Sequence, residues 1–189
     1  MSVPAGSVSP MSPRPAITLR ARTEADYDAL YALAAELDSW EQRSPLRPAA
    51  MTRKGWEARV AEYDADPSGN LGFVIDVEGE AVGTVSLFDI DGFTGTAEVG
   101  IALAASARGK GIGTEAIARI VEFAFVRANL RRVHLEAIAS NTAALRVYEK
   151  AGFVVEGRQR EHAWVRGHYE DIVRMGLLRS EWAGRRDAD

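Results

Sequence analysis

The chain has 189 residues, 47% of them hydrophobic and 26% charged, with a formal charge of −4. That length suits one domain with a core of its own, the charge lacks the basic footprint of a nucleic-acid-binding domain, and no apolar run approaches the roughly 18 residues a membrane helix needs. The chain contains no cysteine, which excludes disulfides, thiolate zinc sites and a cysteine nucleophile together.

Residues 1–16, "MSVPAGSVSPMSPRPA", are rich in Ser and Pro and lack both a basic and an apolar signal-peptide region, so they read as a flexible leader of a cytoplasmic protein. The domain is expected over residues 17–182, and residues 183–189, "AGRRDAD", as a polar tail that frays. From Ile17, "ITLRA" alternates as a strand does. Thr23 can then cap a helix whose apolar positions Leu30, Leu33, Ala34 and Leu37 recur with helical spacing. The two prolines of "DSWEQRSPLRP" break it, and a second helix is expected from about Thr52 to Ala65, ahead of the turn "DPSGN".

Next, "LGFVIDV", "AVGTVSLFDI" and "TAEVGIAL" read as three strands joined by short Gly-containing turns, an antiparallel meander. The loop "AASARGKG" leads into a helix with Ile117, Ile120, Val121, Ala124 and Phe125 on one face, ending near Ala128. "RRVHLEAI" is a strand, "NTAALRVYEKAG" a short helix closed by Gly152, and the remainder supplies two strands around "VRGH". The expected order is β α α β β β α β α β β, a mixed α/β fold with helices on both faces of the sheet.

The loop "ARGKGIGTEA", residues 107–116, carries the strongest chemical signal. Backbone amides converging at a helix N-terminus favour negative charge, and small residues let a phosphate approach. Arg108, Gly109, Lys110, Gly111, Ile112, Gly113 and Thr114 supply such a turn, with glycines 109, 111 and 113 permitting positive φ and close approach. A P-loop is disfavoured because no lysine follows Gly113. Gly111, Gly113 and Ala116 do satisfy a dinucleotide GxGxxA, with Glu136 on the next strand. Against that reading, "AASAR" separates strand from turn, and the preceding sheet is an antiparallel meander.

"RGKGIG" matches the R/Q-x-x-G-x-G/A signature of the GCN5-related N-acetyltransferases, and "SNTAALRVYEKAGF" resembles that superfamily's second conserved block. "YEDIVRMGLL" is similar to the subgroup holding the ribosomal-protein alanine and spermidine acetyltransferases. One departure is that Ala105 and Ser106 stand where relatives often carry Pro-Glu.

The resemblance implies a largely antiparallel sheet with a splayed parallel strand pair, and an enzyme that moves an acetyl group from acetyl-CoA directly to an amine. It implies that Ile101 and Leu103 offer main-chain groups to pantetheine, and that Tyr148 protonates the departing thiolate. Asn141 starts its helix, so it is an N-cap, a contact to the pantetheine arm, or both. Glu98 is the candidate base: relatives often have an acid there, and alternation puts Glu98, Gly100 and Ala102 on one face. Trp40, Glu41 and Arg43 fall where the family builds its acceptor pocket. A polyamine, an amino sugar or an N-terminal amine is the expected acceptor, and Glu41 with Glu98 favours a cationic one. His134, His162 and His168 lack metal-ligand spacing, so no metal is expected. The chain is expected to act as a monomer or homodimer, without nucleic-acid or membrane partners. A non-catalytic acetyl-CoA sensor is the alternative, and it would need neither Tyr148 nor Glu98.

Overall fold

The fold is given by a computed structural model that describes residues 16–37, 51–66 and 68–186. Strand β1 (Thr18–Arg20) is followed by a 3-10 turn and helix α1 (Tyr27–Ala35), then helix α2 (Arg53–Ala65). The meander comprises β2 (Leu71–Val77), β3 (Glu80–Asp91) and β4 (Thr96–Leu103). Helix α3 (Ile112–Glu122), strand β5 (Arg132–Ile138), helix α4 (Thr142–Ala151), strands β6 (Val154–Val165) and β7 (His168–Leu178), and helix α5 (Arg179–Arg186) complete the order.

The seven strands form one sheet in the order β1-β2-β3-β4-β5-β7-β6. Every neighbouring pair is antiparallel except β4 with β5, which runs parallel. That pair is short: its register covers Thr96↔Arg132, Ala97↔Val133 and Glu98↔His134 and then stops. Strand β4 continues to Leu103 paired with β3, while β5 continues to Ile138 paired with β7. The two middle strands therefore diverge beyond Glu98, and a cleft opens in the sheet.

The sheet is covered on both faces. Ile112, Ala116, Ile117, Ile120 and Val121 of α3 are buried against Val85, Leu87, Val99, Val133, Leu135 and Met175, so the helical periodicity read from the sequence is the face that meets the strands. Leu30 of α1 and Trp56 and Val60 of α2 pack with Val74 in a second cluster. Thr52 caps α2, its hydroxyl accepting from the Gly55 amide at 3.1 Å. Thr23 starts a 3-10 turn, Glu24–Asp26, that runs into α1. Its amide and hydroxyl both donate to Asp26 Oδ2, at 2.8 and 3.0 Å.

Arg20 fastens this end of the molecule. Its guanidinium donates to both carboxylate oxygens of the buried Asp26 and, through Nε, to Asp76 of β2, each at 2.7 Å. The arginine holds both carboxyls below the usual range.

Two features differ from the sequence reading. Helix α1 ends at Ala35 with Glu36 in an extended conformation, so Leu37 is not on its apolar face and is 52% exposed. In place of a fraying tail from residue 183, helix α5 runs to Arg186, and Trp182 lies 5.5 Å from the Phe125 ring. The tilted contact of Trp182 on Phe125 ties this helix to the core and outweighs the polar composition that suggested fraying. Among the described residues, no helix is long and apolar enough to cross a membrane.

Candidate active site

The glycine loop sits where β4 delivers the chain to α3. After Leu103 a 3-10 turn, Ala105–Ala107, leads to Arg108, and Gly109 and Gly111 take φ of +73° and +78°. Gly111 is the left-handed N-cap of α3. The Glu115 amide donates to Gly111 O at 3.1 Å, which leaves the N–H groups of Ile112, Gly113 and Thr114 at the open start of the helix. The helix dipole and these amides together favour an anion there. A Cβ on Gly109 would meet nothing within 4 Å.

Gly113 acts differently from the expectation of positive φ. It lies inside the helix, buried, and a Cβ there would come within 3.2 Å of Leu103 Cδ1 and 3.9 Å of Ile101 Cδ1. Its missing side chain lets α3 approach the end of β4. Ile112 likewise sends its side chain into the core, leaving only its main chain to a ligand. Arg108 is turned back on the fold: Nε donates to Leu103 O at 3.0 Å, and a terminal nitrogen stands 3.8 Å from Glu36. It braces the turn against the end of β4. Lys110 is exposed at the loop's surface.

The cleft between β4 and β5 encloses about 300 Å³. Glu98, Gly100, Ile101, Asn141 and Tyr148 all line it, so the two residues expected to carry the chemistry and the strand expected to hold pantetheine share one cavity. Asn141 caps α4, its side-chain oxygen accepting from the Ala144 amide at 3.2 Å, and borders the cleft as well. Its expected placement as an N-cap holds.

Tyr148 is 6% exposed, with its ring edge-on to Phe153 at 5.9 Å. Burial, and secondarily the charge of Glu98, pushes its phenol up to about 12. Helix α4 is stopped beneath it by Gly152 at φ +104°, while the Phe153 amide returns to Tyr148 O at 3.0 Å. Burial also pushes the Glu98 carboxyl up to about 7, with the charges of Glu136 and Asp89 acting in the same direction. One cavity thus holds a carboxyl that titrates near neutrality and a phenol that stays protonated, a pair able to take one proton and give another.

A second, larger chamber of about 440 Å³ adjoins the cleft on the side of α1 and α2. The two share Tyr63, Thr84, Ser86, Phe88 and Ala102 as walls. Leu30, Leu33, Met51, Trp56, Val60 and Phe73 make its interior apolar, with Arg22 and Arg59 among its polar lining. Sequence reading missed this chamber, whose residues come from α1, α2, β2 and the loops beside them and carry no motif. Phe88 lies across Gly100, where a Cβ would come within 2.9 Å of the ring, and Tyr63 lies across Gly72, where a Cβ would come within 3.1 Å. A glycine opposite an aromatic on the neighbouring element is the signal that was available. Trp40, Glu41 and Arg43 lie outside the described residues.

Glu136 also lines the cleft, two positions from His134 on β5, and is held by Arg174 at 2.7 and 2.8 Å. It faces the same cavity as Glu98, not a ribose at a dinucleotide turn. Among the described residues, no group of three or more His, Asp or Glu is placed to hold a metal ion.

The sheet parts at one parallel pair, a helix start with open amides stands on one side, and a carboxyl and a phenol share the cavity between. The chain belongs to the acetyltransferase (GNAT) domain family, whose pattern matches residues 16–154, and it is an N-acetyltransferase. It is 32% identical to the Bacillus subtilis protein YdaF over 131 residues, 69% of each chain. With the spermidine N(1)-acetyltransferase of Vibrio cholerae it shares 33% identity over 114 residues, 60% of this chain and 66% of that one. The crystal structure of spermidine N-acetyltransferase from Vibrio cholerae in complex with CoA and spermine superposes with a TM-score of 0.81 at 27% identity. That match covers 88% of this chain and 98% of the other.

Proposed function

We propose that the chain transfers the acetyl group of acetyl-CoA to the primary amine of a small molecule whose amine is borne on an apolar body. The observation that carries this reading is the continuity of the two cavities through Phe88, Ser86 and Ala102. One cavity suits a thioester arm and holds the titrating pair. The other is walled by aliphatic and aromatic side chains, and each apolar group it buries contributes about 25 cal/mol per Å² removed from water. The carboxylates among the described lining residues, Glu98 and Glu136, stand on the cleft side, where an amine has to be presented.

In this reading the pyrophosphate of acetyl-CoA lies at the start of α3 against the amides of residues 112–114, and pantetheine runs along β4 as an added strand would. The acceptor arrives as an ammonium, and Glu98 takes its proton. The free amine forms the new C–N bond at the thioester carbonyl. The C–S bond then breaks, the leaving thiolate takes the proton of Tyr148, and the phenolate takes the second proton that the nitrogen loses in becoming the neutral amide. No acyl group is passed to the protein. Holding the two reactants together and excluding water supply most of the rate, with the acid and the base each contributing about 10²- to 10⁴-fold.

The test is thiol release from acetyl-CoA against arylalkylamines, spermidine, an amino sugar and a peptide with a free N-terminus. The arylalkylamines should show kcat/KM about tenfold above spermidine, because each buried methylene-sized group discriminates by about tenfold or more. A preference for spermidine would refute the apolar acceptor and keep the transferase. Acetyl-CoA binding with no release against any amine would replace the enzyme with a sensor.

A further inference from the structure

The acceptor's proton does not end its path at Glu98, which must be ionised again before the next turnover. Only 23% of the Glu98 side chain is exposed, and it faces the cleft that the two substrates fill. Across the last rung of the parallel pair stands His134, whose Nε2 is 4.0 Å from Glu98 Oε2. The histidine side chain is 36% exposed and is not among the walls of either cavity. It stands at the point where β4 and β5 part, beside the half-buried carboxyl and itself open to water.

We propose that His134 is the relay through which Glu98 returns its proton to solvent. This rests on Glu98 serving as the base. The acceptor ammonium gives its proton to the Glu98 carboxylate, the carboxylic acid passes it to His134 Nε2, and the imidazolium releases a proton from Nδ1 to water. Glu98 is again a carboxylate and His134 again neutral, so the pair returns to its starting state. The 4.0 Å separation suits a contact that tightens when substrates fill the site.

The surroundings favour a ring that accepts a proton and does not keep it. Burial and then Arg132 lower the His134 imidazole below its ordinary range, with Arg174 of β7 acting alike, while Glu156 of β6 and Glu136 on its own strand act the other way. Glu98 is faced by Glu136 of β5, Asp89 at the end of β3, Arg174 of β7 and Tyr148 of α4. Near neutral pH His134 is therefore neutral beside a carboxyl that titrates, the condition a relay requires.

The test compares the unmodified chain with His134→Asn and Glu98→Gln in weakly buffered solution, with imidazole added as a diffusible base. His134→Asn should lose about tenfold in kcat at pH 7 with the acetyl-CoA KM unchanged, and imidazole should restore the rate. Glu98→Gln should not be restored. A loss that imidazole does not repair, or no loss at all, overturns the relay. A measurement on the unmodified chain does not depend on the variants folding: its kcat should be insensitive to imidazole, and a rise with imidazole concentration would also overturn the proposal. Retention of full activity by Glu98→Gln removes the base itself, and failure of the unmodified chain on every amine removes the transferase reading, so the failures are separable.

Discussion

Glu98 is held where its charge is costly. Its folded pKa of about 7 lies above its value in an unfolded chain, so folding is favoured by the protonated form, and that contribution is lost as pH rises through about 7. Glu98→Gln should therefore melt close to the parent at pH 5 and higher than it at pH 8, while losing activity. Parallel melting curves at the two pH values check this, and equal melting temperatures at pH 8 would contradict the shift. Tyr148→Phe keeps the ring that meets Phe153 and removes only the hydroxyl. It should lower kcat about 10²-fold with little change in the acetyl-CoA KM, measured by steady-state thiol release. These two positions were legible in the sequence because strand alternation and a motif marked them. Trp56, Tyr63 and Phe88 were not, because an aromatic that walls a chamber has the same local pattern as one that fills a core.

The turn between β4 and α3 divides its work among its glycines. Gly111 pins the helix start with φ +78°, whereas Gly113 makes room for Leu103. Sequence reading found the turn and assigned all three glycines one role, since residue identity does not show which of them lies inside the helix. Gly111→Ala forces a left-handed conformation on an L-residue at about 1 to 2 kcal/mol. It should raise the acetyl-CoA KM and lower the melting temperature together. Gly79→Ala, at φ +89° in the β2–β3 turn with nothing near a Cβ, should show the thermal loss alone. A KM effect of equal size at both positions would separate neither role. Helix α5 escaped the sequence reading because it is short and polar and is fixed by tertiary contacts such as Trp182 on Phe125.

The whole molecule is a sheet with helices clasped to both faces, and Arg20 joins β1 to the start of α1 and to β2. Because the Asp26 carboxyl is held far below its unfolded value, its stabilising contribution is complete above about pH 4 and is lost as pH falls toward the folded value. Acid titration of the folded fraction should show this loss, and Arg20→Gln should weaken it. That variant should cost about 2 kcal/mol, less than a fully buried pair because Arg20 is 29% exposed. The order of elements along the chain, the β2–β4 meander and the two-faced packing were legible, since periodicity and turn residues decide them, whereas the insertion of β7 between β5 and β6 was not, because no local pattern says which strand of the last hairpin meets β5. The parting of β4 from β5 was visible only through family resemblance, because nothing in either strand's own pattern says how many rungs they share. That brief pairing leaves a signature in solution. Beyond Glu98 the main chain of β4 has a strand on one side only, so its amides should fall into two populations in deuterated water. Those turned toward β3 should retain their protons, and those turned toward the cleft should exchange quickly until acetyl-CoA slows them.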